Sequence, residues 1–407
     1  MKNFLVIQFG SRMNYAIPRI LFKNNYLIHF YTDFLVNKFF FLFLKKIQKY
    51  LLPNFIIRLT SRYCYEIPRG IITTFPIISF AFIFRKFFSK GYSNKILYLN
   101  LWSAKLFANS IIKNGLKSAK YIYLQRNDSL EILKEAKKKK IFTILEQNIA
   151  PAITELKELE KEYKTFKDWS ESNYYESSYF RELIEREKKE HNLADIIVSP
   201  SNYVKQAIIF ENKISNQKIR VIEYGVDGNK IFYRKIKKKK KLNILTVGNV
   251  SLRKGIQYTC QAAMNLSNKM NFRIIGEINI FPEIINQFDS IIDFRGQVTK
   301  INLKTHYEWA DIFLLPSLCE GSATSTYEAL THGLPVICTK NTGSVISNNK
   351  EGFIIETRNS NSIEEKLNYF NENRDKLLEF QKKSFLLSRN YTLGSYEDRF
   401  IQFIKTI

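Results

Sequence analysis

The stretch YEWADIFLLPSLCEGSATSTYEALTHG, from Tyr307 to Gly333, decides how this chain is interpreted, because it places two carboxylates around a small-residue loop. The run from Asp311 to Pro316 is typical of a short buried strand that ends at a proline. The run from Tyr327 to Leu330 predicts the first turns of a helix. A strand, a small-residue loop and a helix in this order predict a phosphate site, since backbone N–H groups and the partial positive charge of a helix start attract anions.

The two carboxylates are Glu320 and Glu328, eight residues apart. An ionised carboxylate accepts hydrogen bonds with both oxygens, so one glutamate suits sugar hydroxyls and the other suits a ribose diol. A simpler interpretation is a capping box, in which Ser325 caps the helix and Glu328 bonds back to its backbone. The spacing alone does not decide between these interpretations. The loop residues predicted to approach a diphosphate are Gly321, Ser322, Ala323, Thr324 and Ser325.

Other segments of the second half of the chain accompany this stretch. The run from Asn243 to Gly248 predicts a buried strand, and residues 249–255 (NVSLRKG) predict a loop before a helix at residues 256–266. Downstream, residues 333–338 (GLPVIC) predict a helix end followed by another strand. Upstream, residues 222–227 (IEYGVD) form a turn-like segment.

Together these segments resemble the retaining glycosyltransferases of the GT-B fold, glycosyl transferases group 1 of the family 4 type, whose signature is E-x7-E. The resemblance is specific from about residue 195 to residue 356 and weaker before that. It implies that Glu320 contacts the sugar of a nucleotide-sugar donor and Glu328 its ribose. It also implies that Lys254 neutralises the diphosphate. An exposed loop lysine contributes little to stability, so Lys254→Ala is predicted to lower turnover with little loss of folding.

The loop after the strand at residues 243–248 also departs from the family pattern. The family often has an arginine directly after the strand glycine, whereas this chain has Asn249 there and Arg253 four residues later. Arg253 is therefore a less direct candidate for a catalytic role beside Lys254. Gly248 and Asn249 are predicted to line the donor site.

The first strand-like run, from Phe4 to Phe9, is followed by a glycine loop and a helical pattern. A glycine at this point lets a ligand approach the carboxyl edge of a parallel sheet. The resemblance places this loop across a cleft from the donor, so Gly10 and Arg12 are candidates to contact donor phosphates or the acceptor. The alternative is a tight turn with an exposed arginine. No Gly-x-Gly-x-x-Gly fingerprint occurs, which argues against a nicotinamide site.

The chain has 407 residues, more than one core usually holds, which predicts two domains. The predicted fold class is α/β, with two doubly wound Rossmann-like domains facing each other across a cleft. The first, acceptor-side domain is predicted at residues 1–230, followed by a basic linker at 231–241 that includes five consecutive lysines. The nucleotide-sugar-binding domain is predicted at 242–385, and a final helix at 386–407 is predicted to pack back on the first domain.

The formal net charge of +25 suits an anionic membrane, a lipid-linked phosphate or a nucleic acid. No nucleic-acid-binding motif occurs, so no nucleic-acid partner is expected. Residues 34–90 alternate aromatic-rich apolar runs with Lys and Arg, and none of these runs reaches the roughly 18 residues that span a bilayer. They predict peripheral contact with an anionic membrane, and the alternative is an ordinary buried core.

Cysteines and histidines carry little chemistry in this chain. The four cysteines, Cys64, Cys260, Cys319 and Cys338, lack metal-ligand spacing and predict buried, reduced thiols in a cytoplasmic protein. The basic, aromatic-rich runs of residues 34–90 predict association with the inner face of the membrane. No His-x-x-x-His pair occurs, and no Asp-x-Asp motif follows a predicted strand. The sequence therefore predicts no metal site and no cofactor apart from the nucleotide-sugar co-substrate.

The predicted function is transfer of a sugar, with retention of anomeric configuration, from a nucleotide-diphosphate sugar to a polysaccharide or lipid-linked glycan. The biosynthesis of cell-surface polysaccharide or lipopolysaccharide is the expected setting, with a metal-independent hexosyltransferase as the enzyme class. The family's usual mechanism is front-face departure of the diphosphate, stabilised by Lys254. Double displacement with Glu320 as nucleophile is the alternative. Two further alternatives are a sugar-phosphate phosphorylase or hydrolase, and a non-catalytic, membrane-associated binding subunit with a degenerate fold.

Overall fold

The computed structural model describes residues 3–36, 42, 62–88, 93–170, 177–227 and 241–407. The predicted linker at 231–241, apart from Lys241, and most of the predicted membrane-contacting segment before residue 62 lie outside these residues. The chain divides into two compact units. The first comprises Met1–Gln147, Asn173–Val198 and Ile214–Arg220, and the second comprises Asn148–Ser172, Ser199–Lys213 and Val221–Ile407.

The first unit is built around a parallel sheet. Its strands are β1 (Phe4–Gln8), β2 (Leu27–Thr32), β3 (Ile72–Thr74), β4 (Tyr121–Gln125), β5 (Phe142–Glu146), β6 (Ile196–Ser199) and β7 (Ile219–Val221). Within the described residues this sheet has seven strands in the order β3-β2-β1-β4-β5-β6-β7. All five residues of β1 are buried, as expected for a strand of a parallel sheet that is covered on both faces.

The helices of residues 3–227 connect these strands or, in two cases, belong to the second unit. They are α1 (Ala16–Lys23), α2 (Pro76–Phe88), α3 (Ser93–Asn114), α4 (Leu130–Lys138), α5 (Ala152–Thr165), α6 (Ser178–Leu193) and α7 (Asn202–Asn212). Helices α5 and α7 are part of the second unit. The compact units are therefore discontinuous in sequence, and the continuous domain boundaries drawn from the sequence stay a prediction.

The second unit contains another parallel sheet. Its strands are β8 (Leu242–Val247), β9 (Met270–Ile275), β10 (Ile292–Phe294), β11 (Ile312–Leu315), β12 (Val336–Thr339) and β13 (Gly352–Ile355). Among the described residues the order is β10-β9-β8-β11-β12-β13, the same doubly wound order as in the first six strands of the first sheet. The order reverses between β1 and β4 in the first sheet and between β8 and β11 in the second.

The remaining helices all follow β8. They are α8 (Ile256–Leu266), α9 (Pro282–Phe288), α10 (Lys300–Trp309), α11 (Thr324–Thr331), α12 (Ser360–Glu372), α13 (Arg374–Ser388) and α14 (Leu393–Lys405). The core between sheet and helices includes Phe313, Leu330 and Val336, none of which is exposed. Before α14, the Val226 N–H donates to the Tyr391 carbonyl at 2.9 Å, which holds the end of the chain within the second unit.

Two strands and one helix of the second unit lie close to where the sequence predicts them. Strand β8 begins one residue before the predicted run, β11 occupies four residues of the Asp311–Pro316 segment, and α8 coincides with the predicted helix. Helix α11 begins at Thr324, three residues before the predicted start, because the small loop residues continue directly into helical conformation. None of the described helices is both long and apolar enough to cross a membrane.

Candidate functional site

The loop after β8 carries the predicted phosphate-binding lysine. Lys254 ends a short 3₁₀ turn, Leu252–Lys254, that precedes α8. Gly248 leaves room for the lysine side chain, because a Cβ atom added there would lie 3.1 Å from Lys254 Cε. Gly255 has a φ of +70°, which favours glycine, and an added Cβ would collide with the Pro316 carbonyl oxygen. The two glycines therefore position Lys254 against the end of β11.

Lys254, Arg253 and Glu320 form one ionic cluster at the point where the strand order reverses. Glu320 Oε1 accepts from Lys254 Nζ at 2.6 Å and from Arg253 Nη1 at 2.7 Å. Arg253 also donates to the Cys319 carbonyl at 2.9 Å. Lys254 and Glu320 are each only 8 % exposed. The structure thus brings together all three residues that the sequence singles out as catalytic, and the cluster carries one net positive charge.

The cluster also fixes the ionisation of its members. Burial alone raises the pKa of Glu320, but the neighbouring charges and hydrogen bonds of Arg253 and Lys254 reverse this effect and lower that pKa. Burial lowers the pKa of Lys254, and the Glu320 carboxylate opposes that effect. Lys254 is therefore a buried, paired cation, and the expectation that it is an exposed loop residue is wrong. The effect of Lys254→Ala on turnover and folding stays a prediction.

The small-residue loop before α11 is held by hydrogen bonds from neighbouring segments of the second unit. Ser201 Oγ donates to the Gly321 carbonyl at 2.5 Å, and Ser322 Oγ donates to the Gly343 carbonyl at 2.8 Å. The Ala323 N–H donates to the Thr342 carbonyl at 3.2 Å, so this group is engaged within the protein. These contacts fix the loop backbone beside Glu320.

The second glutamate does not form the capping box that the spacing also allowed. Ala323 is the N-cap residue of α11 and makes no side-chain cap, and Ser325 lies inside the helix. Glu328 Oε2 instead accepts from the Tyr307 hydroxyl at 2.8 Å. Glu328 is therefore oriented by a side chain from α10.

Sequence reasoning did not identify Tyr307 as a site residue. The tyrosine is 2 % exposed, and its ring stacks on His332 with 5.0 Å between ring centroids. No local spacing links Tyr307 to Glu328, 21 residues later, because the contact depends on how α10 packs on α11. His332 lies four residues after Glu328, so helical spacing could have predicted that these two residues are neighbours.

The two candidates from the first loop of the chain are both held by carboxylates of the first unit. The Gly10 N–H donates to Asp33 Oδ1 at 2.8 Å. Arg12 Nε donates to Glu146 Oε1 at 3.0 Å. Both contacts lie at the carboxyl edge of the first sheet, as predicted for the loop after β1. Their roles toward a donor or acceptor stay predictions.

The same edge carries two acids that sequence reasoning missed. Burial, with the charges of Glu190 and Asp33, raises the pKa of Asp128, just after β4, to about 8. Burial also raises the pKa of Glu190 to about 7, although its carboxylate accepts from the Asn127 and Ser129 N–H groups at 2.8 and 3.1 Å. Asp128 and Glu190 therefore hold protons at pH values near neutral.

The cysteines carry no further chemistry at the site. All four are buried and form no disulfide, as the sequence predicts. Burial raises the pKa of Cys338 to about 12. In the part of the chain that the structure describes, no three His, Cys, Asp or Glu side chains come together in a way that would hold a metal ion.

Comparison with protein families places the ionic cluster in a known domain type. Residues 241–373 match the family model described as Glycosyl transferases group 1. Arg253, Lys254, Glu320 and Glu328 all fall within the matched range. The matched range lies in the second unit.

Curated relatives match part of the chain. The putative colanic acid biosynthesis glycosyltransferase WcaL of Escherichia coli is 25% identical over 38% of this chain and 43% of its own length. The N,N'-diacetylbacillosaminyl-diphospho-undecaprenol alpha-1,3-N-acetylgalactosaminyltransferase of Campylobacter jejuni is 26% identical over 48% of this chain and 54% of its own length. The chain spans about half the length of the curated relatives it matches.

Solved structures match the whole chain. Sucrose-phosphate synthase from Thermosynechococcus elongatus has a TM-score of 0.65 at 12% identity, covering 100% of this chain and 99% of that chain. Anabaena Alr3699/HepE, in complex with UDP and glucose, has a TM-score of 0.60 at 11% identity, covering 100% of both chains. At these identities the similarity shows the fold. It confirms the predicted α/β class with two doubly wound sheets, as in GT-B glycosyltransferase structures.

Proposed function

We propose that this protein is a glycosyltransferase that moves a sugar from a nucleotide-diphosphate sugar to a polysaccharide or lipid-linked glycan of the cell surface. The observation that carries the proposal is the cluster that the partly exposed Arg253 forms with the buried Lys254 and Glu320. It lies where the strand order of the second sheet reverses, the usual ligand site of doubly wound sheets. The matched Glycosyl transferases group 1 domain supports transfer. The names of the Escherichia coli and Campylobacter jejuni relatives support glycan biosynthesis.

The donor is assigned from charge and hydrogen-bonding capacity. A diphosphate brings anionic oxygens that Arg253 and Lys254 are placed to neutralise, because the cluster retains a positive charge after pairing with Glu320. Glu328, held by Tyr307, is assigned to the ribose diol. UDP in the complex of the structurally similar Anabaena protein supports a nucleoside diphosphate as ligand.

The mechanism proposed is front-face transfer with retention. The bond from the anomeric carbon to the diphosphate oxygen breaks while the acceptor hydroxyl oxygen bonds to the same face. The hydroxyl proton passes to the leaving diphosphate, whose charge Lys254 and Arg253 stabilise. Double displacement would need Glu320 as a nucleophile, and two cations already bind its oxygen at 2.6 and 2.7 Å. Such pairing weakens a carboxylate nucleophile, which favours the front-face route.

The transfer is proposed to be metal-independent. Divalent metal ions in other transferases neutralise the leaving diphosphate, and this site supplies two protein cations for that purpose. We also propose that the protein is located in the cytoplasm.

The proposal is tested on the full chain with UDP, GDP, ADP and CDP, with and without magnesium, by thermal shift and calorimetric titration. A ligand that binds only the folded state raises the melting temperature. We expect one nucleoside diphosphate to do so without magnesium, and Glu328→Gln to weaken its binding about tenfold or more. Glu365→Gln is the matched control, since Glu365 is an exposed glutamate of the same unit.

Product analysis separates the alternatives. Transfer releases a free nucleoside diphosphate and extends a glycan, whereas a phosphorylase or hydrolase releases a sugar phosphate or a free sugar without extension. Binding without any product would favour the non-catalytic subunit. Failure of every nucleotide and every corresponding nucleotide sugar to bind would contradict the proposed site.

A further inference from the structure

Helix α2 in the first unit exposes an unusual amount of apolar surface. Its exposed apolar residues are Ile77, Phe80, Ile83, Phe84 and Phe88, with exposed fractions of 81, 57, 47, 65 and 63%. These five residues are called the α2 face below. Positions 77, 80, 84 and 88 follow helical spacing, so they line one side of the helix. A side of this kind on a surface helix indicates contact with something apolar outside the protein.

The opposite side of α2 is firmly packed in the first unit. Ile78 and Ser79 are each 8% exposed, and Ser79 Oγ donates to the buried Asp33 carboxylate at 2.8 Å. On the α2 face itself, the ring of Phe80 contacts Phe34, with 5.5 Å between ring centroids. Ile78 and Ser79 anchor the helix from its buried side, and the residues of the α2 face are 47 to 81% exposed.

The segment that contains the α2 face is basic. Residues 67–127 contain ten Lys or Arg and no Asp or Glu, and Lys105 and Arg126 of this set pair with glutamates of α6. Arg85 and Lys86 on α2 are exposed. The Arg85 guanidinium lies 4.1 Å from the ring centroid of Trp102 on α3, which holds this charge beside the apolar side chains. A patch that combines aromatic and cationic side chains is complementary to an apolar surface that bears anions.

A hollow between α2 and α3 repeats this combination. It has a volume of about 490 Å³ and is lined by Phe84, Arg85, Phe88, Lys95, Tyr98 and Leu99. Two cationic side chains meet four apolar or aromatic ones there. That arrangement suits an anionic headgroup and the first carbons of an acyl chain.

We propose that the α2 face docks on the surface of an anionic lipid bilayer, with its aromatic side chains at the headgroup boundary and the surrounding cations on lipid phosphates. Helix α2 has 13 residues and is about 20 Å long, which suits a helix lying in the plane of the interface. A second copy of this chain is a poorer occupant, because two such faces would bring like charges together. The inference does not depend on the proposed sugar transfer.

The test is sedimentation of the full-length protein with phosphatidylcholine vesicles, with and without phosphatidylglycerol. Phe80→Ser/Phe84→Ser/Phe88→Ser removes most of the aromatic surface of the α2 face. Phe210→Ser/Met264→Ser/Leu386→Ser is the matched control, because these residues of the second unit are 68, 62 and 56% exposed. Circular dichroism and melting temperature check that both variants fold.

We expect the wild-type and control proteins to bind only the anionic vesicles. The α2 variant should partition to the anionic vesicles at least about tenfold less than the wild type does, since three aromatic anchors are lost. Wild-type binding to the anionic vesicles should also weaken as salt is added.

Four results would overturn the inference. The first is α2-variant binding equal to wild type, and the second is no preference of the wild type for anionic over neutral vesicles. The third is a lipid-free oligomer in analytical ultracentrifugation that the α2 substitutions dissociate, which would make a second copy the occupant. Absence of wild-type binding to any vesicle would also overturn it and would indicate that another part of this chain covers the face.

Discussion

The two sheets share the order of six strands, and their carboxyl edges hold buried acidic side chains in different electrostatic surroundings. In the first sheet, the residues after β4 include Asp128, whose pKa burial and neighbouring acids raise to about 8. In the second sheet, Glu320 has its pKa lowered, since the effect of burial is outweighed by Arg253 and Lys254. A shared topology therefore fixes where side chains converge, and the charges that the loops contribute decide what can bind.

The largest effect on activity is expected from removing a cation at the carboxyl edge of the second sheet. Lys254→Met should lower the rate of sugar transfer about a hundredfold or more, because the leaving diphosphate loses a preorganised charge. It should also cost about 1–3 kcal/mol in the free energy of unfolding, because Glu320 keeps only Arg253 as a partner. Steady-state kinetics and urea unfolding measure the two effects. Lys366→Met, at a partly exposed lysine of the same unit, should change neither by comparable amounts.

A smaller, pH-dependent effect on the free energy of unfolding is expected from a substitution at the carboxyl edge of the first sheet. The folded-state pKa of Asp128 is raised from 3.8 to about 8, so between these values the folded protein holds a proton that the unfolded chain releases. The free energy of unfolding therefore falls as pH rises through this window. Asp128→Asn has no carboxyl group to release this proton. The difference in the free energy of unfolding between Asp128→Asn and wild type should therefore favour the variant more at about pH 8.5 than at about pH 5.5, by on the order of 1 kcal/mol.

Urea unfolding of the wild type and Asp128→Asn at both pH values measures this change. Glu185→Gln, at an exposed glutamate of α6, is the control and should show no such pH dependence. Equal pH dependence in wild type and Asp128→Asn would mean that the two edges do not differ in the way described.

The smallest effect concerns orientation rather than charge. Tyr307→Phe removes the hydroxyl that donates to Glu328 at 2.8 Å and leaves the stacking on His332 in place. If Glu328 binds the ribose, the variant should bind a nucleoside diphosphate about three- to tenfold more weakly, at roughly 1 kcal/mol for one hydrogen bond. Its discrimination between ribose and 2′-deoxyribose nucleotides should shrink.

Calorimetric titration with UDP and dUDP, or with the matching pair for whichever base binds, measures that ratio. A purely structural role of Tyr307 would weaken both ligands equally and leave the ratio unchanged. Tyr396→Phe, at another buried tyrosine of the second unit, is the control.

The parts of the fold that the sequence predicts are those that a local apolar run determines. Strands β8 and β11 are buried on both faces, so their residues form short apolar runs that end at Gly248 and Pro316. The order of these runs and the E-x7-E segment then locate Lys254 and Glu320. The burial of Lys254 was not predicted, because it depends on the space that Gly248 leaves beside it.

The parts that were missed depend on contacts between distant segments. Tyr307 reaches Glu328 only through the packing of α10 on α11, and the raised pKa of Asp128 depends on its burial and then on the charges of Glu190 and Asp33, which are distant in sequence. No local periodicity reports such neighbours. The grouping of α5 with the second unit has the same cause.

The grouping of α5 with the second unit has a consequence for folding during translation. Helix α5 carries Glu162, whose carboxylate accepts from Arg358 Nε at 2.5 Å, 196 residues later. At ribosomal rates of about 5–20 residues per second, α5 emerges roughly 10 to 40 s before this partner is synthesised. The helix sequence AITELKELEKEYKT is rich in charge, which keeps it compatible with water during that interval. The second unit can therefore be completed only after residue 358 and the segments that pack with it have been synthesised.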